Sequence, residues 1–166
     1  MRRRLIDQIL DVFRKSPAPS TPPAKTAHTA KPSAPPRGGA PARDIDTDQV
    51  VFEYSPQMDA DPDPGEVVWT WVPYEEDPSK GKDRPVVIVG RQGALLIAVP
   101  LTSKQHDNEP QVAVGTGSWD REGRPSYAKL ERLLVVDPKA VRREGAVLSR
   151  AHFDDVVAGV RREHQR

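Results

Sequence analysis

The chain reads as a mainly β (α+β) protein, a small antiparallel barrel closed by a C-terminal helix. Three observations lead there. Short valine-rich stretches, alternating or fully apolar, recur between residues 66 and 149 with Gly, Pro and Asp turns between them. Several joins are too short for crossover connections, which makes neighbouring strands antiparallel. Near the end the period changes: Phe153, Val156, Val157 and Val160 follow Ser149 at helical spacing, with the serine placed as N-cap.

The expected strands are Glu66–Val72, Pro85–Gly90, Ala94–Leu101, Gln111–Gly115 and Ser126–Val136, with one more short strand within Arg142–Ser149. Arg91-Gln92-Gly93 suits a hairpin between the second and third, with Gly93 at positive φ. Gly123 closes another tight turn after Asp120-Arg121-Glu122. No internal repeat is present.

Four segments divide the 166 residues. Residues 1–15 place Leu5, Ile6, Ile9, Leu10 and Phe13 on one face of a helix flanked by Arg2, Arg3, Arg4, Arg14 and Lys15. Such a helix can dock on its own domain, dock on a second copy, make a weak contact with an anionic membrane surface, or order only on a partner. Asp7, Gln8 and Asp11 interrupt it and argue against a secretory signal. Residues 16–43 hold eight prolines and seven alanines with no larger aliphatic residue, the composition of a disordered, extended linker. Residues 44–64 carry seven acids around the apolar patch Val50-Val51-Phe52 and Tyr54. This lead-in is either solvated, an added edge strand, or an acidic strap over a basic groove. The domain proper spans 65–166.

Net charge is +1, but it is unevenly spread. Residues 1–43 hold nine bases and two acids (+7), residues 44–78 eleven acids and no base (−11), and residues 79–166 sixteen bases and eleven acids (+5). Blocks this polar point to a charged partner or to contact between segments. Cysteine is absent, which removes disulfides, thiolate metal sites and cysteine nucleophiles and fits a cytoplasmic protein. The four histidines are scattered, so no metal or other cofactor is expected. No apolar run approaches the roughly 20 residues of a membrane span.

Candidate chemistry gathers around Arg84 and Thr102-Ser103. Arginine never loses its charge and its planar fork pairs two phosphate oxygens. Pro85 fixes the backbone behind it as a strand begins. Hydroxyls at the end of the next apolar strand, Thr102 and Ser103, can donate to the same phosphate. His106, three residues on, suits proton transfer because an imidazole titrates near neutrality. The alternatives are ordinary: a salt bridge from Arg84 to Asp83 or Glu75, hydroxyls bonded to a turn, and a solvated loop histidine. Trp71, Tyr74, Lys80 and Lys82 are candidate contacts to the same phosphodiester ligand, since single-stranded nucleic acids are held by aromatic faces and cations. Trp69 and Trp71 share one face of a strand, which equally suits a core.

Four motifs occur in order. Gly65-Glu66-Val67-Val68-Trp69 opens a strand; Arg84-Pro85-Val86-Val87-Ile88-Val89 ends a loop and begins another; Pro100-Leu101-Thr102-Ser103 closes a third; Ser126-Tyr127-Ala128-Lys129-Leu130-Glu131-Arg132 follows. Together they resemble the PemK/MazF toxins, ribosome-independent mRNA endonucleases of toxin–antitoxin modules. Trp69-Thr70-Trp71-Val72-Pro73-Tyr74 and Trp119-Asp120-Arg121 resemble an actinobacterial branch. The resemblance implies an SH3-like barrel, metal-independent cleavage of single-stranded RNA by 2′-hydroxyl attack, a cognate antitoxin and a homodimer. It also makes Thr102 the partner of Arg84. One departure stands out: the family's loop Ser-Glu-Gln is replaced by Asp77-Pro78-Ser79-Lys80-Gly81-Lys82-Asp83, which lacks the glutamate. A catalytically silent barrel binding nucleic acid or protein is the alternative. A topoisomerase-inhibiting barrel fits less well, because the chain ends in charged Arg161-Arg162-Glu163-His164.

Overall fold

A computed structural model describes residues 39–165. The expected helix at 1–15 and the linker up to residue 38 lie outside the described residues. The rest forms nine strands: β1 (Arg43–Asp44), β2 (Val51–Phe52), β3 (Glu66–Pro73), β4 (Gly81–Gln92), β5 (Leu95–Thr102), β6 (Gln111–Gly115), β7 (Ser126–Lys129), β8 (Leu134–Val136) and β9 (Arg142–Val147). They precede a single α-helix among the described residues, α1 (Arg150–His164). The strand order is β1-β8-β5-β4-β3-β9, with β2 added to β4 and β7 joining β5 to β6. Every pairing is antiparallel, as short joins require.

Period-two alternation divides the apolar side chains between two cores. Val67, Val87, Val89, Ile97, Val99 and Leu101 face a layer shared with Phe153, Val156, Val157 and Val160 of α1. The intervening Val68, Val72, Val86, Ile88, Leu96 and Ala98 face a second core with Leu134, Val136 and Ala42. A sheet buried on both faces explains why β4 and β5 read as unbroken apolar runs. The Ser149 hydroxyl accepts from His152 N–H and caps α1, as expected. Gly93 takes φ 59°, and because Gln92 pairs with Leu95 the turn is Gly93-Ala94, one residue later than expected.

The expected strand Ser126–Val136 divides in two. Thr102 faces Tyr127, whereas Ala98 faces Leu134. Four residues back along β5 therefore take up seven in the partner, and three must leave the ladder. The turn between β7 and β8 absorbs them and carries Arg132 inward, where it is 7% exposed.

A second difference concerns the loop before Arg84. β4 begins at Gly81 rather than Pro85, and Thr70 pairs with Arg84, Trp71 with Asp83 and Val72 with Lys82. The loop shrinks to Tyr74–Lys80, closed by Tyr74 N–H donating to Lys80 O at 2.8 Å. Gly81 is required there, because a Cβ would run into the Val72 carbonyl and the Trp71 ring.

The lead-in 44–64 is docked, not free. β1 and β2 extend the sheet on β8 and β4. Ile45, Val50, Phe52 and Tyr54 pack against the helix-side core. The Tyr54 ring meets Phe153 edge-on at 4.9 Å, and its hydroxyl donates to Leu148 O at 2.9 Å. The segment thus seals apolar surface instead of lying as a strap along cations; Asp44 and Asp63 are its only acids paired to an arginine among the described residues.

Candidate nucleic-acid interface

The ladder between β4 and β5 ends at Val86–Pro100. Beyond it β4 stays paired with β3 and β5 with β7, so the strand ends form a fork. Counted along the two strands from that last pair, Arg84 corresponds to Thr102 and Lys82 to Lys104, on the two arms of the fork. Arg84 and Thr102 share the parity of Val86 and Ala98, so both belong to the face of the second core, at its rim. Tyr127 pairs with Thr102 and lies on the same face.

The guanidinium of Arg84 makes no hydrogen bond or ion pair among the described residues. Both carboxylates expected to neutralise it are taken. Asp83 points across to Arg142 at 3.0 Å, and Glu75 meets Arg132 at 3.3 Å. Burial weakens the hold of Arg84 on its proton; Tyr74 opposes that, Arg132 adds repulsion and Glu76 opposes it. The result is a half-buried, unpaired cation on a rigid strand, the environment in which a phosphate is bound most strongly.

Thr102 contributes a hydroxyl whose oxygen accepts from Lys104 N–H at 3.1 Å. Its own proton is left to donate. Lys82 and Lys104 form no ion pair among the described residues. Burial lowers the Lys82 pKa, and repulsion from Arg84, Lys104 and Lys129 lowers it further, which identifies these cations as near neighbours. Lys129 is held by Glu109 at 3.4 Å and Glu131 at 3.2 Å.

The other expected site residues are dispersed. Ser103 and His106 are exposed; the His106 backbone donates to Gln111 Oε1 at 3.0 Å, while its ring makes no hydrogen bond among the described residues. Lys80 is exposed and pairs with Asp77 at 3.6 Å. Tyr74 is half-buried beside Arg84. Trp71 is only 5% exposed and packs over Gly81, so its ring is interior and offers no face to a base in this structure. Trp69, on the same strand face, is covered by Arg142 at 5.5 Å. Asp77 accepts from Ser79, whose hydrogen bonds lower its pKa, and Asp83 lies on the opposite face of β4 from Arg84.

Lys104, Tyr127 and Arg132 border the fork and were not among the residues singled out by sequence reasoning. Lys104 and Tyr127 carry a period-two signal, two positions after Thr102 and two before Lys129. Arg132 gives no such signal, since it sits in the turn that divides the expected strand. Its guanidinium donates twice to Asp44, at 3.1 and 3.0 Å, and to Pro73 O at 3.0 Å. It thereby ties β1 to the end of β3.

Residues 63–163 match the sequence profile of PemK-like, MazF-like toxins of type II toxin–antitoxin systems. The chain belongs to this family. The PemK/MazF match begins at Asp63, so β1 and β2 lie outside it. Among solved structures, MazF (Form-I) from Deinococcus radiodurans is similar with 17% identity and a TM-score of 0.48, over 63% of this chain and 96% of that one. MazE–MazF (Form-II) from the same organism gives 16% identity and 0.45, over 63% and 95%. No curated protein matches the chain significantly. Membership rests on the family profile, not on these distant likenesses.

Proposed function

We propose that this PemK/MazF-family chain is an endoribonuclease that cuts single-stranded RNA without a metal ion. The observation that carries the reading is the unpaired, half-buried Arg84, with Thr102 on the other arm of the fork. In the reaction the 2′-oxygen attacks the adjacent phosphorus and the 5′-oxygen leaves. A 2′,3′-cyclic phosphate and a 5′-hydroxyl result, with one proton taken from the nucleophile and one given to the leaving group. Arg84 binds the non-bridging oxygens as their charge grows, and the Thr102 hydroxyl donates to one of them. Both groups are held by paired strands, so little reorganisation accompanies the transition state.

Proton transfer falls to Glu76, the carboxylate whose field acts on Arg84, and to the exposed His106. Tyr74, Lys80 and Lys82 border the path of the strand. Family membership supports a cognate antitoxin as partner and a second copy of the chain as co-builder of the groove. An mRNA substrate places the activity in the cytoplasm.

The test uses a fluorescent single-stranded RNA in EDTA. Cleavage by the wild type, lost in Arg84→Ala with binding largely retained, supports the enzyme. Binding without cleavage by the wild type would instead assign a catalytically silent barrel.

A further inference from the structure

The fork carries more positive charge than one phosphate needs. Lys82, Arg84 and Lys104 lie close enough to repel one another and form no ion pair among the described residues, whereas the partly buried Arg91, Lys129 and Arg132 are each paired with a carboxylate; the exposed Lys139 is also without one. Three adjacent cations, two of them partly buried, repel each other and are held together by the fold. Lys82 lies two residues before Arg84 on β4, and Lys104 two residues after Thr102 beyond the end of β5. Along β4 the two-residue offset sets Lys82 on the same face as Arg84 and about 6.7 Å further out, at the strand rise of about 3.3–3.4 Å per residue, and Lys104 is its neighbour there.

We infer that the fork binds two consecutive phosphates of one RNA strand. Arg84 and Thr102 hold the cleaved phosphate, and Lys82 and Lys104 hold its neighbour. This rests on the reading of Arg84 and Thr102 given above. The inner pair offers a flat fork and a hydroxyl, suited to a phosphate whose geometry changes. The outer pair offers two ammonium point charges, suited to a phosphate that must only be gripped. Lys82 and Lys104 are thus positioning residues. They fix the register of the strand so that the correct linkage reaches Arg84, and they act on KM more than on kcat.

The experiment uses the full chain and a short, uncleavable 2′-O-methyl RNA, with affinity followed by anisotropy against salt. The Lys82→Gln/Lys104→Gln variant should bind about tenfold more weakly, with a salt slope shallower by about 0.7, the value for one lost single-strand phosphate contact. Lys139→Gln, on the exposed turn Pro138–Ala140, should keep the wild-type slope and so exclude a net-charge effect. Lys82→Arg/Lys104→Arg should restore binding. Each phosphate of the RNA is then replaced in turn by a neutral methylphosphonate. The replacement that no longer matters in Arg84→Ala identifies the first phosphate, and the one that no longer matters in the double variant identifies the second. They must be neighbours. An unchanged slope in the double variant, or two identified phosphates that coincide or stand further apart, overturns the inference even if native RNA is cut. Neighbouring phosphates with no cleavage of native RNA would uphold it and sink the nuclease reading. A wild type that does not bind removes both.

Discussion

Asp83 bonds Arg142 at 3.0 Å and leaves Arg84, the next residue in the chain, without a carboxylate partner among the described residues. Alternation along β4 produces this, because consecutive residues of a strand point to opposite faces. Arg142 arrives from β9 through the pairing of that strand with β3. The fold therefore spends its nearest acid on one face and keeps a bare guanidinium on the other.

Arg84→Ala should lower single-turnover cleavage by two orders of magnitude or more, as expected for loss of a transition-state charge contact. Because Arg84 is partly desolvated and unpaired, its removal should leave the melting temperature unchanged or raise it. Arg84→Lys should restore little, since a point charge cannot span two oxygens. A melting temperature lowered in parallel with activity would show a structural role instead.

Lys82 makes stability depend on alkaline pH. Its folded-state pKa lies below the ordinary lysine value because of burial and then the repulsion of Arg84, Lys104 and Lys129. Between the two pKa values the unfolded chain holds the extra proton, so stability rises with pH there. The penalty is full below the folded pKa and fades above it. RNA affinity should fall over the same interval. Melting temperatures from pH 7 to 10 for wild type and Lys82→Gln provide the check: the variant should be the more stable at pH 7, and the two should converge as pH rises.

Arg132→Ala should destabilise the domain by about 2 kcal/mol, because it leaves the buried Pro73 carbonyl without its donor, while Asp44 and Glu75 are more than half in solvent and stay hydrated. The loss orphans Pro73 O and frees β1 from the end of β3. Asp44→Asn should cost about 1 kcal/mol or less, because Asp44 is half in solvent. Urea unfolding of the two variants measures the difference, and equal losses would contradict this account.

Tyr54→Phe removes the bond to Leu148 O and should cost about 1 kcal/mol. Tyr54→Ala also vacates the edge contact with Phe153 and should cost about 3 kcal/mol. If the lead-in were a detachable inhibitor of the fork, these variants would raise RNA affinity with little change in stability. The docking of its aromatic residues on the core predicts the reverse, and denaturant midpoints with RNA titrations decide between them.

Much of the fold was legible because valine alternation, turn glycines and the Ser149 cap act locally. β3, β5 and β6 lie within a residue of expectation, and α1 starts directly after the expected cap Ser149. What escaped depends on pairing between distant segments. Gly81–Arg84 is polar and has no local strand signal, yet β3 recruits it. β1 has two residues and exists only through β8; an edge strand at residues 50–52 was one of three open readings, which the pairing of β2 with β4 decides. In the site, Arg84 at the start of one apolar strand and the hydroxyls Thr102 and Ser103 at the end of the next were readable as candidates, and Thr102 as the partner came from the family resemblance. Trp71 was not readable as interior, because a tryptophan on a strand looks the same whether glycine or solvent lies over its ring. Lys104 became visible only once the fold made it a neighbour of Lys82.

The two short strands that precede Asp63 also bear on how this protein can be handled. A fragment cut to the family boundary would bare the backbone edges of β8 and β4 and uncover the side of α1 that Tyr54 protects. Such edges recruit strands from other copies. Aggregation of a trimmed form would then report the missing hem of the sheet, and say nothing about the catalytic competence of the intact chain.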